Sequence, residues 1–376
     1  MHYGKRLGPL RDPSGKRLGP LRDPLGKGPG PLRGLSGKEQ GRTRPPMRSA
    51  RLEMALNTGA MVLPAAGTIA ALRPRIGDDL SALPKDRVQV ITGFRPDFDH
   101  FEQQGWQVAT AIGGPYSAAV VCLPRAKLDA RALLAQAAEA VVAGGLVAVD
   151  GQKTDGVDSV HKDLREIVPV TDALAKAHGK IFSFAAGPEL VGWSYSKSDI
   201  GGGFFTQPGV FSATGPDRGS VLLAAALPAK LPARVVDLGA GWGYLSREIL
   251  RRDGVTSLDL VEAEDAALAC ARINITDPRA AFHWADATRF RPAQPVGAVV
   301  CNPPFHTGRD ADPGLGIAFL VAAHRMLSGS GVLYLVANRH LPYDRVLTTL
   351  FRDVDVIGGD TAFKLTRAAL PIRARA

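Results

Sequence analysis

The segment Cys301-Asn-Pro-Pro-Phe-His306 follows an apolar run and combines an amide, two prolines and an aromatic ring. Two consecutive prolines fix the backbone φ angle and remove two N–H donors, which predicts a stiff turn with outward carbonyls. The Asn302 side-chain oxygen and the Pro303 carbonyl could accept the two hydrogens of an exocyclic amine, while Phe305 stacks on the base. These acceptors would stabilise charge that develops on the nitrogen during methyl transfer. The motif therefore predicts chemistry on the amine of a planar base.

Three glycines alternate with other residues in Val235-Val-Asp-Leu-Gly-Ala-Gly-Trp-Gly-Tyr244. A loop of this kind between a strand and a helix lets the backbone pass close to a nucleotide-like ligand. A dinucleotide fingerprint would place its third glycine where this chain has Tyr244. The Asp237 carboxylate would repel a pyrophosphate but attract the ammonium and sulfonium of S-adenosylmethionine (SAM). The loop favours SAM over a dinucleotide; a tight turn without a ligand is the structural alternative.

Two acidic residues follow the next two predicted strands. Glu262 ends a strand at the position where an acid accepts hydrogen bonds from ribose hydroxyls in nucleotide-binding α/β folds. Its neighbours Glu264 and Asp265 are acidic too, so only its position at the end of the strand favours Glu262 over them. Asp286 follows a third short strand, where a carboxylate can accept a hydrogen bond from an adenine amino group.

Apolar runs alternate with helical patterns in both halves of the chain. The first half predicts strands at 88–92, 116–124 and 146–150, a helix at 130–142 and a late edge strand at 181–184. The second half predicts strands at 234–238, 257–261, 281–284, 298–301 and 331–337, with helices at 244–252, 265–273 and 315–327. Strand–helix–strand units at this spacing predict parallel sheets. We expect an α/β protein with two tandem doubly wound (Rossmann-like) domains, at 54–204 and 205–376.

The basic charge of the chain is concentrated at its beginning. Residues 1–53 hold 13 of the 46 Lys and Arg residues but 4 of the 36 Asp and Glu residues, so this segment carries most of the net charge of +10. Gly4–Pro13 recurs unchanged as Gly15–Pro24. A Gly/Pro-rich basic repeat predicts a disordered tail. It is interpreted as an extension from a misassigned start, with Met47, Met54 or Met61 as the true one, or as an RNA-binding arm.

Composition excludes several classes of protein. The chain is 45% apolar and 22% charged, as in ordinary globular proteins. Its three cysteines (Cys122, Cys270 and Cys301) are far apart, which predicts neither a disulfide framework nor a metal site and favours the cytoplasm. Its apolar runs are too short or too interrupted to predict a membrane span.

The second half resembles the small-domain class I SAM-dependent methyltransferases, and among them the bacterial ribosomal RNA small subunit guanine-N2 methyltransferases. The resemblance covers 205–368 and rests on the motifs at 208–212, 219–220, 236–243, 302–306, 336–338 and 341–343. The first half is similar to the degenerate N-terminal methyltransferase copy of the same family, through Leu123–Lys127 and Lys176–Lys180. It lacks both the glycine loop and the Asn-Pro-Pro motif.

The resemblance implies a role for each matching residue. Asp237, Gly239 and Gly241 would contact the methionine end of SAM. Glu262 would bind its ribose and Asp286 its adenine. Asn302, Pro303 and Phe305 would hold the target base. The implied reaction transfers a methyl group from SAM to the N2 amine of a guanine in ribosomal RNA.

The resemblance also implies what surrounds the enzyme. The N-terminal copy would aid RNA binding rather than catalysis, and Lys127, Lys176 and Lys180 could supply phosphate contacts if they converge. The expected partner is ribosomal RNA or a ribosomal subunit. The protein is expected to be a cytoplasmic monomer that does not bind a membrane.

Other functions stay open at this stage. The same chemistry could act on adenine N6 in DNA or RNA, or on a protein glutamine amide, although the glutamine enzymes usually carry Tyr where this chain has Phe305. An oxidoreductase is disfavoured by Tyr244. A non-catalytic RNA-binding module is disfavoured by the intact Asn302 and glycine loop.

Overall fold

The computed structural model describes residues 47–304, 306–307, 310–311 and 313–373. Residues 1–46, which contain the repeats of the predicted tail, lie outside the described residues, and so does Phe305. The described part of the chain builds two seven-stranded sheets, one in each half.

The first sheet has the strand order β3-β2-β1-β4-β5-β7-β6, with β7 antiparallel to both of its neighbours. Its strands are β1 (Ile69–Leu72), β2 (Val88–Ile91), β3 (Gln107–Ala109), β4 (Tyr116–Cys122), β5 (Val141–Gln152), β6 (Leu174–Lys176) and β7 (Gly179–Ala185). Its helices are α1 (Met47–Asn57), α2 (Arg95–Gln103), α3 (Lys127–Ala140) and α4 (Val157–Arg165).

A short hairpin of β8 (Ser198–Asp199) and β9 (Phe205–Thr206) leads into the second sheet, whose order is β12-β11-β10-β13-β16-β18-β17. Its strands are β10 (Arg234–Leu238), β11 (Ser257–Glu262), β12 (Ala280–Trp284), β13 (Val296–Cys301), β16 (Leu327–Asn338), β17 (Phe351–Gly359) and β18 (Phe363–Pro371). β14 (His306–Thr307) and β15 (Asp310–Ala311) form a separate hairpin. The helices are α5 (Arg218–Ala226), α6 (Tyr244–Leu250), α7 (Asp265–Asn274), α8 (Pro313–Met326) and α9 (Tyr343–Leu350).

Both sheets have the same topology. When the strands of each sheet are counted in chain order, each reads 3-2-1-4-5-7-6, and in each the seventh strand is antiparallel. The central strands are buried on both faces, since every residue of β1 and all but the first residue of β10 are inaccessible. Helices must therefore cover both faces, as in doubly wound folds. The predicted fold of two tandem Rossmann-like domains is confirmed.

The strands of the first half differ from the sequence prediction in several places, and the short strands β3 and β6 were not predicted. The segment at 181–184, predicted as an edge strand, is part of β7 and lies inside the sheet, because the short strand β6 pairs with its outer side. The central strand β1 was not predicted. Its sequence Ile-Ala-Ala-Leu is short and rich in alanine, so it carries little strand signal.

Helix α1 crosses the predicted boundary between residues 53 and 54. Arg51 is fully buried, and its Nε and Nη2 atoms lie 2.5 Å and 2.9 Å from the two carboxylate oxygens of Asp150. Arg48 also pairs with Asp150, and its Nε lies 3.1 Å from Asp78. Residues 47–53 are therefore helical and packed on the first sheet, not part of a disordered tail.

A second predicted boundary also falls within an element. The β8–β9 hairpin pairs Ser198 with Thr206, so the division between 204 and 205 falls inside it.

Replacing Asp150 with alanine should lower the free energy of unfolding by about 3–5 kcal/mol, because two buried guanidinium groups lose their shared carboxylate. Urea denaturation of the full chain measures the change. The control is Asp355→Ala, which removes an exposed partner of Arg367 and should change stability by about 1 kcal/mol or less. Equal effects of the two variants would contradict a buried anchor at Asp150.

Candidate active site

Three adjacent parallel strands bring the predicted site together. Leu238 at the end of β10 lies opposite Val261 in β11 and Cys301 in β13. The next residues along the chain are Gly239, Glu262 and Asn302, respectively. Because parallel strands end at the same edge of a sheet, these three residues are neighbours there.

Asp237 is a fully buried carboxylate in β10. Its Oδ2 accepts a hydrogen bond from Ser246 Oγ at 2.6 Å, whereas its buried Oδ1 has no hydrogen-bond partner among the described residues. Burial raises the pKa of Asp237 to about 7; the Ser246 hydrogen bond opposes the shift and the charge of Glu262 adds to it. An unpaired buried oxygen of this kind calls for a hydrogen-bond donor, preferably a cationic one.

The glycine loop leaves an open cradle beside this carboxylate. Gly239 has a φ of 81°, and a Cβ atom there would lie 3.2 Å from the ring of Phe319. Gly241 has a φ of 56°, and a Cβ atom there would point into open space. A side chain at position 241 would fill that space and would strain the backbone, so glycine keeps the cradle free for a ligand.

Glu262 is held in place by the backbone. Its Oε2 accepts from the Gly241 N–H at 2.8 Å, and its Oε1 accepts from the Glu264 N–H at 2.8 Å. Burial raises the pKa of Glu262, and these hydrogen bonds oppose the shift. Each carboxylate oxygen has further acceptor capacity, so the fixed carboxylate can also accept from a pair of hydroxyl groups.

Asp286 lies just beyond β12, at the same edge of the sheet. Its Oδ1 accepts from the backbone N–H and the hydroxyl of Thr288, at 2.8 Å and 2.7 Å. Its Oδ2 lies 3.7 Å from the exposed Arg289 side chain. Because 3.7 Å is beyond hydrogen-bond distance, Oδ2 can accept a hydrogen bond from a ligand amine.

These residues fit SAM. The unpaired oxygen of Asp237 suits an ammonium group, Glu262 suits ribose hydroxyls, and Asp286 suits the adenine amine. The cradle at Gly241 provides space without a side chain. The hydrogen-bonding capacity of these side chains is therefore consistent with the predicted SAM site. The role of each residue in binding SAM stays a proposal.

Asn302 is partly buried and its amide nitrogen is fully engaged. Nδ2 donates to Asp217 Oδ2 and to Ser220 Oγ, both at 2.9 Å. Within the described part of the chain, Oδ1 is left to accept a hydrogen bond from elsewhere. Pro303 follows in a buried position, while Phe305 lies outside the described residues.

Sequence analysis missed Asp217 and Ser220. Asp217 caps α5 by accepting a hydrogen bond from the Ser220 N–H at 2.9 Å. An Asp three residues before a Ser is an ordinary helix start, so the pattern did not suggest a site. Ser220 belongs to a motif that carried the resemblance, which was the available signal.

The first half has different residues at the corresponding positions. Leu72 lies opposite Ile91 and Val121, as Leu238 lies opposite Val261 and Cys301. The register therefore aligns the first half with the second as follows: Ala71 with Asp237, Arg73 with Gly239, Thr92 with Glu262, and Cys122 with Asn302. The first half thus lacks both carboxylates and the amide.

Arg73 also has the left-handed backbone of its glycine counterpart, with a φ of 54°. Its guanidinium lies 3.1 Å from Asp129 and 3.2 Å from Glu264, which belongs to the second half. Burial lowers the pKa of Arg73, but the Glu264 and Asp129 carboxylates outweigh it and raise the pKa overall. Arg73 lines a cavity of about 430 Å³ between the halves, where the first half would otherwise hold a cofactor.

The three lysines predicted to bind RNA lie at the carboxyl edge of the first sheet, around α4. Lys127 Nζ lies 2.8 Å from Asp163 and Lys180 Nζ lies 2.6 Å from Asp158; these lysines lower the pKa of both carboxyls. Lys176 is exposed and lies beside Lys180 on the β6–β7 hairpin. All three lysines lie at this edge, and two of them are already paired with acids.

The described residues contain neither a metal-binding cluster nor a membrane-spanning helix. No group of three or more His, Cys, Asp or Glu side chains in them is arranged to hold a metal ion. No helix in the described ranges is both long and apolar enough to cross a membrane.

Residues 201–367 match the family described as Methyltransferase small domain. The chain is 28% identical to the ribosomal RNA small subunit methyltransferase C of Shewanella loihica, over 76% of this chain and 89% of that protein. It is 28% identical to the protein of the same name from Aeromonas hydrophila, over 73% and 86% of the two chains.

A solved structure confirms the fold. The 16S rRNA N2 methyltransferase of T. thermophilus, in complex with AdoMet and guanosine, is 24% identical with a TM-score of 0.72. The match covers 86% of this chain and 91% of that one. The resemblance inferred from the motifs is confirmed by these comparisons.

Replacing Asp237 with asparagine should weaken SAM binding about tenfold or more, because the ammonium group loses a charged partner. Isothermal titration calorimetry measures this. The same variant should gain stability over the wild type as pH rises from about 4 to about 7. In that window the folded wild type retains a proton that the unfolded chain, with its ordinary pKa of about 3.9, has released, so its free energy of unfolding falls.

The matched control is the exposed Asp253, whose replacement by asparagine should change neither SAM affinity nor the pH dependence of unfolding. A stability difference between wild type and Asp237→Asn that is the same at pH 5 and pH 8 would contradict a raised pKa at Asp237.

Proposed function

We propose that this protein, a member of the methyltransferase small domain family through residues 201–367, methylates the N2 amine of a guanine in 16S ribosomal RNA with SAM as the donor. The observation that carries the proposal is Oδ1 of Asn302, which has no hydrogen-bond partner among the described residues and lies at the sheet edge that also holds Asp237 and Glu262. The names of the relatives support ribosomal RNA as the substrate. The name of the T. thermophilus protein supports the N2 position.

In the second half, one set of residues binds SAM and another binds the target base. Bound SAM supplies an activated methyl group on its sulfonium. Asp237 holds the ammonium group, Glu262 the ribose and Asp286 the adenine. Asn302 Oδ1 and the Pro303 carbonyl accept the two hydrogens of the guanine amine, which directs the nitrogen lone pair away from the ring plane. The same acceptors stabilise positive charge that develops on the nitrogen. The displaced proton passes to solvent, so no general base is required.

The first half serves RNA recognition in this proposal. A base must leave its stack to reach Asn302, which costs a few kcal/mol that contacts elsewhere must offset. The convergence of Lys127, Lys176 and Lys180 at one edge supports a phosphate contact there. The pairing of Lys127 and Lys180 with acids implies that RNA must compete with Asp163 and Asp158.

The remaining parts of the proposal concern organisation. The halves at 54–204, extended by residues 47–53, and at 205–376 act as recognition and catalytic domains. The enzyme works as a monomer in the cytoplasm, on ribosomal RNA or an assembled subunit.

Replacing Asn302 with alanine should abolish methyl transfer while the affinity for SAM stays nearly unchanged, because the lost acceptor acts on the target amine. Mass spectrometry of 16S ribosomal RNA from cells that carry only the variant reads out transfer, and calorimetry reads out SAM binding. The control is Gln294→Ala, which removes an exposed amide that accepts from Arg234. Full methylation by Asn302→Ala would refute this mechanism.

Replacing Lys127, Lys176 and Lys180 together with glutamine should raise the KM for RNA and flatten its dependence on salt, with SAM affinity unchanged. The matched control replaces Lys85, Lys230 and Arg251, which are exposed and lie near the opposite, amino-terminal edges of the sheets. Unchanged kinetics in the first triple variant, or equal effects in both, would remove the first half from RNA recognition.

A further inference from the structure

The amide of Asn302 can face the target base in two ways, and only one of them supports the reaction. With Oδ1 towards the base, the amide accepts a hydrogen from the guanine amine. With Nδ2 towards the base, it presents hydrogens to hydrogens and repels the amine. The two orientations have nearly the same shape, so packing alone does not select between them.

The neighbours of Asn302 select the productive orientation. The Asp217 carboxylate carries only acceptor atoms when ionised, so the group that lies 2.9 Å from its Oδ2 must be the donor, Nδ2. Ser220 Oγ, also 2.9 Å away, occupies the second hydrogen of Nδ2. Both donors of the amide are then used, and Oδ1 faces the remaining side.

Asp217 and Ser220 are themselves fixed by helix α5. Oδ2 of Asp217 accepts from the Ser220 N–H at 2.9 Å, so the atom that orients Asn302 also caps the helix. Ser220 is buried, and Leu223 and Ala224 in the next turn pack in the core of the second half. A Cβ atom at Gly219 would lie 3.0 Å from Asp217 Oδ2, so the glycine leaves room for the cap.

The geometry points to Asp217 and Ser220 as a positioning pair that orients and polarises the Asn302 amide for methyl transfer to the target amine. This inference rests on the proposed function, because it assigns Asn302 Oδ1 to the reacting amine. A carboxylate that accepts from Nδ2 draws positive charge to the nitrogen end of the amide. It thereby increases the negative charge on Oδ1, which strengthens its hydrogen bond to an amine that becomes cationic.

The test separates capping from positioning at position 217. Asp217→Ser keeps a residue that caps helices well, but its shorter side chain cannot also reach Asn302. Asp217→Asn keeps an acceptor oxygen of the same reach and removes the charge. We expect the single-turnover rate of methyl transfer to fall about tenfold or more in Asp217→Ser and less in Asp217→Asn, with SAM affinity and the thermal midpoint near those of the wild type.

A charge swap gives a readout that a purely structural role would not move. Asn302→Asp alone places two carboxylates against each other and should inactivate the enzyme. Adding Asp217→Asn removes that repulsion while an amide oxygen still accepts from the Ser220 N–H, and a carboxylate oxygen of residue 302 can then accept from the target amine. We expect this double variant to be faster than Asn302→Asp alone.

The outcomes distinguish this inference from the proposed function. Activity in Asn302→Ala would refute the proposed function itself. An inactive Asn302→Ala together with a wild-type rate in Asp217→Ser would overturn the positioning pair alone. Loss of SAM binding or a large drop in thermal midpoint in Asp217→Ser would also overturn it, since the residue would then be structural.

Discussion

The hydrogen-bond register of β11, β10 and β13 is the constraint on which the site depends. Leu238 lies opposite both Val261 and Cys301, so the residue that follows each strand emerges at the same height. A slip of one residue in β13 would turn Asn302 to the other face of the sheet and remove it from Glu262 and the glycine loop. The buried apolar side chains on both faces of these strands oppose that slip, because it would exchange the two packed faces and misfit their side chains. The core of the sheet thereby sets the positions of polar groups that lie outside it.

Those polar groups cost stability. Asp237 and Glu262 are acids whose pKa values burial raises, and the charge of Glu262 raises the pKa of Asp237 further. A cationic ligand relieves this repulsion, so the energy stored at the edge of β10 favours binding. The first half shows the opposite state, because Ala71 replaces the buried carboxylate and Arg73 neutralises Asp129 and Glu264. The corresponding edge of the first half is therefore stabilised by ion pairs between its own side chains and Glu264.

Sequence reasoning found the parallel strands β10, β11, β12, β13 and β16 of the second half, whereas α5, α9, β17 and β18 were not predicted. β10 was predicted with its observed bounds, and Glu262 and Asn302 stand where their strands were expected to end. It failed where the signal is tertiary. The role of Arg51 depends on a carboxylate 99 residues away, and that of Asp217 on an amide 85 residues away. Local sequence patterns reveal neither partner. Arg51 was therefore assigned to the basic tail, and Asp217 looked like an ordinary helix cap.

The duplicated topology explains how one half could lose a site without losing its fold. In both sheets the apolar strands carry the core, while the residues proposed to face a ligand lie within the last two positions of a strand or just beyond its end. Substitutions there, such as Thr92 where the second half has Glu262, leave the buried strands intact. At the same edge of the first sheet, the buried Arg51 donates to the carbonyls of Lys176 and Ala177 and so helps to fix the β6–β7 hairpin, which carries Lys176 and Lys180. An edge without these carboxylates can carry other side chains, because the buried strands of the fold keep it rigid.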